Sequence, residues 1–96
     1  MGIYKNSVEA EFDLSKIYEY GIQYFGIEQA KVYFTGLESI LNSLAKNPNL
    51  GRIAYEFYPE LRRFLYQSHI IFYLPTDYGI FVVRVLHQSV DYNDNL

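Results

Sequence analysis

Apolar side chains recur along the first half of the chain at helical intervals. Ala10, Leu14, Ile17, Tyr18, Gly21 and Phe25 follow one another at steps of three and four, the stripe of an amphipathic helix. Asn6 or Ser7 caps its start. Glu9 and Glu11 sit in its first turn, where the positive end of the helix dipole favours carboxylates, and Gly26 ends it. A second stripe, Ala30, Tyr33, Phe34, Leu37, Leu41, Leu44 and Ala45, predicts a helix from about Glu28 to Lys46. Asn47-Pro48 stops it, because the residue before a proline avoids the α region. So short a connection forces the two helices back on each other as an αα-hairpin. Gly21 and Gly36 each interrupt a helix at a cost of about 1 kcal/mol relative to alanine. A close crossing of the two helices would account for both.

After residue 47 the pattern changes period. Ile3–Lys5 is a candidate short strand, and Pro48 to Leu61, punctuated by Asn49, Gly51 and Pro59, reads as a connector with one extended stretch. Three strands follow, Arg63–Tyr66, His69–Leu74 and Ile80–Leu86, turned by Gln67-Ser68 and by Pro75-Thr76-Asp77-Tyr78-Gly79, with Gly79 at a left-handed position. The predicted fold is α+β, an N-terminal αα-hairpin packed on a small antiparallel β-sheet, in one domain spanning residues 1–96. Strict alternation in the last strand puts Ile80, Val82, Arg84 and Leu86 on one face and Phe81, Val83, Val85 and His87 on the other. A charged Arg84 in so apolar a strand must meet a carboxylate or an open face.

Composition narrows the chemistry. With no cysteine there is no disulfide framework, zinc-thiolate site or thiol nucleophile, which fits a reducing compartment. The first residues lack the apolar core of a secretory leader, and the apolar runs Ile70–Leu74 and Ile80–Val83 are too short to cross a bilayer. The expected location is therefore cytoplasmic, with no membrane partner. A net charge of −3 argues against a general nucleic-acid binder. The basic residues are segregated: all four lysines (Lys5, Lys16, Lys31, Lys46) precede all four arginines (Arg52, Arg62, Arg63, Arg84). Aromatic residues make up 19% of the chain, eleven of them tyrosines, more rings than so small a core can hide. Some must lie at the surface, where tyrosine favours interfaces.

Dedicated catalytic motifs are missing. His69 and His87 have no ligand-spaced companions, so no metal site is expected, and there is no glycine-rich phosphate loop. One constellation carries conceivable chemistry. Arg84, Arg62 or Arg63, His87 and Tyr92 would suit phosphodiester cleavage, with histidine as acid or base and arginine on the phosphate. The plainer reading of the same residues is a structural ion pair from Arg84 and a hydrogen-bonded His87 at a strand end.

Six strings, in order and in register, carry a family resemblance. They are Leu14-Ser15-Lys16-Ile17-Tyr18-Glu19-Tyr20, Phe25-Gly26-Ile27-Glu28-Gln29-Ala30, Leu44-Ala45-Lys46-Asn47-Pro48-Asn49-Leu50-Gly51-Arg52, Leu61-Arg62-Arg63-Phe64, Ser68-His69-Ile70-Ile71-Phe72-Tyr73 and Arg84-Val85-Leu86-His87-Gln88-Ser89-Val90-Asp91. Together they resemble the ParE branch of the RelE/ParE superfamily of bacterial type II toxins. The resemblance implies a toxin that inhibits DNA gyrase without being an enzyme. A cognate antitoxin neutralises it, and DNA is reached only indirectly through that antitoxin. No cofactor, metal or small-molecule substrate is implied. The alternative is the RelE branch, whose members cut messenger RNA on the ribosome. Against it, the sheet half has no lysine and the chain is acidic overall; from the ParE branch itself the chain departs mildly, with Leu74 after Phe72-Tyr73 where an arginine is common.

On this reading Arg84, His87, Asp91 and Tyr92 are the candidates for contacting the target. Tyr18, Phe25, Tyr33, Arg62 and Arg63 are those for the antitoxin, as an elongated apolar groove with basic edges taking a docked helix and an added edge strand. The ribonuclease alternative would use Arg62, Arg84, His87 and Tyr92.

Overall fold

The structure, a computed structural model, describes residues 2–90 and 96. Strand β1 (Ile3–Asn6) leads into helices α1 (Val8–Phe25) and α2 (Ile27–Lys46). A 3-10 turn at Pro48–Leu50 follows, then β2 (Arg52–Ile53), β3 (Arg62–Tyr66), β4 (His69–Pro75) and β5 (Gly79–His87). The strands form one sheet in the order β1-β5-β4-β3-β2. β2 to β5 pair antiparallel, as expected of the three C-terminal strands, whereas β1 pairs parallel with β5. The sheet is therefore mixed rather than wholly antiparallel. The reason is the connection: between β1 and β5 the chain passes through the helical hairpin and then β2, β3 and β4, and it enters β5 at the end where β1 begins.

Ser7 fixes this geometry. Its side chain accepts from the Ala10 N–H at 2.9 Å, capping α1, and its hydroxyl donates to the Val83 carbonyl at 2.6 Å. Its own N–H donates to the Val82 carbonyl at 2.9 Å. One residue thus ties the helix start to β5. At the other end Gly26 separates the helices with φ 88°, a conformation glycine adopts without strain.

The main core lies between the hairpin and one sheet face. Ala10 and Leu14 of α1 and Leu37, Leu41, Leu44 and Ala45 of α2 pack against Ile71, Tyr73, Ile80, Val82 and Val85. Gly21 does lie at the helix crossing, where an added Cβ would come 3.2 Å from that of Ala30. Gly36 does not: a Cβ there would strike the Tyr66 hydroxyl, so this glycine makes room for a ring of the sheet rather than for α1. Phe25, the last member of the α1 stripe, is exposed.

The β5 alternation also departs from expectation. A bulge skips Val83 in the pairing with β4, so Phe72 faces Arg84 while Tyr73 faces Val82. Ile80, Val82 and Val85 consequently share the helix face, and Val83 and Leu86 turn to the other face. There a second cluster forms from Ala54, Leu61, Ile70, Phe72 and Leu86, with Phe57 and Leu96 against it. Leu96, close to the chain's end in sequence, thus packs on this outer cluster, and its carbonyl accepts from the Tyr58 hydroxyl at 3.1 Å.

Candidate functional site

The feature with most binding character is an aromatic cleft of about 380 Å³ toward the Gly26 end of the hairpin, where the two helices join. Tyr18 and Phe25 reach it from α1, Tyr33 and Phe34 from α2, and His69 and His87 from the ends of β4 and β5. Local structure explains the convergence. Gln67, with φ 51°, and Ser68 make a two-residue turn that sets Tyr66 opposite His69, and His69 lies opposite His87 on the next strand. Helical spacing brings Tyr33 and Gly36 to the same turn, and Gly36 admits the Tyr66 ring.

A hydrogen bond of 2.6 Å joins the Tyr33 hydroxyl to His69 Nδ1. Tyr33 stands edge-on to Tyr66 with ring centroids 5.4 Å apart, and His69 edge-on to His87 at the same separation. His87 Nδ1 accepts from the Ser89 N–H at 3.1 Å. Burial, reinforced by the neighbouring His87, lowers the His69 pKa to about 4, so the ring is neutral at neutral pH. Burial also pushes the Tyr33 phenol above its ordinary value. The floor of the cleft is thus polar but uncharged, suited to receiving an apolar segment with a few hydrogen bonds. Its rim is apolar and open: Tyr20, Phe25 and Val32 are all more than half exposed.

The structure brings four of the sequence-derived candidates, Tyr18, Phe25, Tyr33 and His87, into this one cleft. It does not bring the arginines there. Arg62 and Arg63 lie at the far end of β3, four and three residues from the Tyr66–His69 row, and Arg62 donates to the Gly51 carbonyl at 2.6 Å. The expected groove with basic edges is therefore an aromatic cleft without them. Arg84 is bound in a bidentate pair to Asp13 of α1, Nε to Oδ2 at 2.8 Å and a terminal nitrogen to Oδ1 at 2.9 Å. Asp13 Oδ2 also accepts from the Val85 N–H at 3.0 Å. This is the structural ion pair weighed above. The proposed ribonuclease set is not assembled: Arg62 and His87 stand about 13 Å apart in strand rise alone, and Arg84 is held by Asp13. Asp91 and Tyr92 lie outside the described residues.

Sequence reasoning missed Tyr66 and His69 as cleft residues, and Asp13 as the partner of Arg84. Asp13 was within reach. It falls on the buried α1 stripe between Ala10 and Ile17, and a carboxylate there is the counterpart that a strand arginine demands. Among the described residues no helix is long and apolar enough to cross a membrane, and no three histidine or acidic side chains group to hold a metal ion.

Comparison with known proteins places this architecture. Residues 4–92 match the family described as the ParE toxin of the type II toxin–antitoxin system parDE. A relative named Toxin ParE1 from Mycobacterium tuberculosis (strain H37Rv) is 37% identical over 94 residues, covering 97% of this chain and 96% of that protein. Toxin ParE1 of Caulobacter vibrioides is 33% identical over 88 residues, covering 92% and 91%. Among solved structures, a chain of the chromosomal ParDE system from P. aeruginosa superimposes with a TM-score of 0.76 at 19% identity, over 91% of this chain and 96% of that one, a likeness of fold. With the family matched across almost its whole length, the chain belongs to the ParE toxins of type II toxin–antitoxin systems.

Proposed function

We propose that the protein, acting in the cytoplasm as a single domain over residues 1–96, is a toxin that inhibits DNA gyrase without chemistry of its own. A cognate antitoxin neutralises it by laying an apolar segment into the cleft lined by Tyr18, Phe25 and Tyr33. The observation that supports this reading is the cleft itself, apolar at its rim, uncharged at its floor and continuous with exposed aromatic residues. Large exposed apolar surfaces of this kind mark interfaces. The separation of Arg62, Arg84 and His87 gives no support to the ribonuclease alternative.

The test uses two assays on the purified full-length protein. Added to gyrase, it should block supercoiling and accumulate cleaved DNA, and an equimolar antitoxin should reverse both effects. Added to a cell-free translation reaction, it should leave messenger RNA ends unchanged. Messenger RNA cut on ribosomes, with gyrase unaffected, would transfer the protein to the ribonuclease class.

A further inference from the structure

The Tyr18–Phe34 ring pair, with centroids 5.3 Å apart, also lines a second cavity of about 380 Å³ between β1, α1 and α2. Its chemistry is the opposite of the first cleft's. Tyr4 adds a third aromatic wall, and Glu11 of α1 and Glu38 of α2 bring two carboxylates to the same space. Asn6, also in the lining, keeps its amide oxygen buried with no hydrogen-bond partner. Among the described residues, no lysine, arginine or histidine lines the cavity.

These carboxylates lack the counter-ions that helices ordinarily supply. Neither Glu11 nor Glu38 has a basic residue three or four positions away, where an intrahelical pair would form. Neither forms an ion pair among the described residues. The lysines nearest Glu11 in sequence are engaged elsewhere: the Lys5 ammonium lies 4.6 Å from the Tyr78 ring centroid and that of Lys16 5.1 Å from the Phe12 centroid. The negative field is felt locally, because the Tyr4 phenol is pushed above its ordinary value by burial, then by Glu38 and by Glu11.

We propose that this cavity receives a guanidinium group, the side chain of an arginine presented by a partner polypeptide. Aromatic faces with two uncompensated carboxylates and an unpaired amide acceptor are the complement of a planar, multidentate cation. A guanidinium stacks on rings, donates to carboxylates in pairs and sheds water more readily than an ammonium. The cavity is also far larger than a compact ammonium needs.

The experiment titrates the full-length protein with N-acetyl-arginine amide and follows backbone and aromatic NMR shifts. Shifts should concentrate on Tyr4, Asn6, Tyr18 and Phe34 and saturate with a Kd of about 1 mM, the strength expected of one side chain. The uncharged isostere N-acetyl-citrulline amide should produce no saturable shift, and the lysine analogue should bind more weakly. The double variant Glu11→Gln/Glu38→Gln, conservative at two exposed positions, should keep its melting temperature and lose about tenfold in affinity. On the unmodified protein, 0.5 M salt should weaken binding as screening requires, a readout that needs no variant. Citrulline binding equal to arginine, affinity indifferent to salt and to the double substitution, or shifts mapping to Tyr33 and His69 would each overturn the proposal.

Discussion

Asp13 illustrates how one side chain serves two purposes. Its carboxylate satisfies both the Arg84 guanidinium and the Val85 N–H beside the β5 bulge, with only 10% of the Asp13 side chain and 21% of the Arg84 side chain accessible. Removing it takes the bidentate carboxylate from the Arg84 guanidinium and the acceptor from the buried Val85 N–H, the costly half of breaking such a pair. Asp13→Ala should therefore cost about 3 kcal/mol and lower Tm by roughly 15 °C, measured by calorimetry. Replacing both partners, Asp13→Leu with Arg84→Met, should recover part of that loss, since no charge is then left buried and only the Val85 N–H still lacks its acceptor. A double variant as unstable as Asp13→Ala would show that the pair matters for more than its own satisfaction. His69 makes a second prediction at this scale. Its folded pKa of about 4 lies below the ordinary 6.5, so between those values the unfolded chain binds more protons than the folded one. Stability is then full above pH 6.5 and falls as pH drops toward 4, by no more than about 1.4 kcal/mol per pH unit. Denaturant melts at pH 7.5, 6 and 5 should show this slope, and His69→Gln should flatten it relative to the unmodified protein. Carboxylates titrate in both proteins alike, so the difference between them isolates the histidine.

β1 and β5 show what an element gains from its neighbours. Gly79 opens β5 with φ 144°, and a Cβ at that position would collide with the backbone of Ile3 across the parallel ladder. Gly79→Ala thus meets strain and steric conflict at once, with a penalty of about 2–4 kcal/mol. It should unzip β1 selectively. The Ile3 amide, which donates to the Tyr78 carbonyl at 2.8 Å, should lose hydrogen-exchange protection while amides of the β4–β5 ladder keep theirs. Uniform loss across the sheet would mean that β1 is integral to the cooperative unit. The sequence told much about elements and little about these joints. The two helical stripes, the strand runs and the Gln67-Ser68 turn were legible because periodicity and turn chemistry are local. The parallel seat of β1 was not, since a four-residue strand carries no mark of the partner it will find beyond two helices. The bulge was invisible for the same reason: period-two alternation is read from one strand, while the register slip belongs to a pair. The aromatic cleft was half legible. Tyr18, Phe25 and Tyr33 stand out as surplus rings, but His69 joins them only through a hairpin register that the sequence leaves open.

For the molecule as a whole, the open matter is which surface meets the target. His87 separates the two leading mechanisms because it is exposed at the end of β5 and stands edge-on to His69 within the cleft. As a general acid or base it would carry a share of about 10²–10⁴-fold in rate, and its loss would abolish toxicity. As part of a binding surface it contributes one ring contact among many, and energy spread over an interface resists single truncations outside its hot spots. His87→Ala should therefore fold, remain toxic to growing cells within a few-fold, and bind the antitoxin several-fold more weakly because the cleft loses a wall. The tail must be probed by substitution rather than by truncation after Gln88, since cutting there also removes the packing of Leu96 on the outer cluster and its bond to Tyr58. Asp91→Ala with Tyr92→Ala is the matched variant. On the gyrase reading it should lower gyrase inhibition more than His87→Ala does, at unchanged melting temperature. Scoring both variants for growth inhibition, supercoiling and thermal stability gives an unambiguous contrast. A stably folded His87→Ala protein that has lost toxicity, beside a fully toxic Asp91→Ala/Tyr92→Ala protein, would replace surface recognition with catalysis as the basis of toxicity.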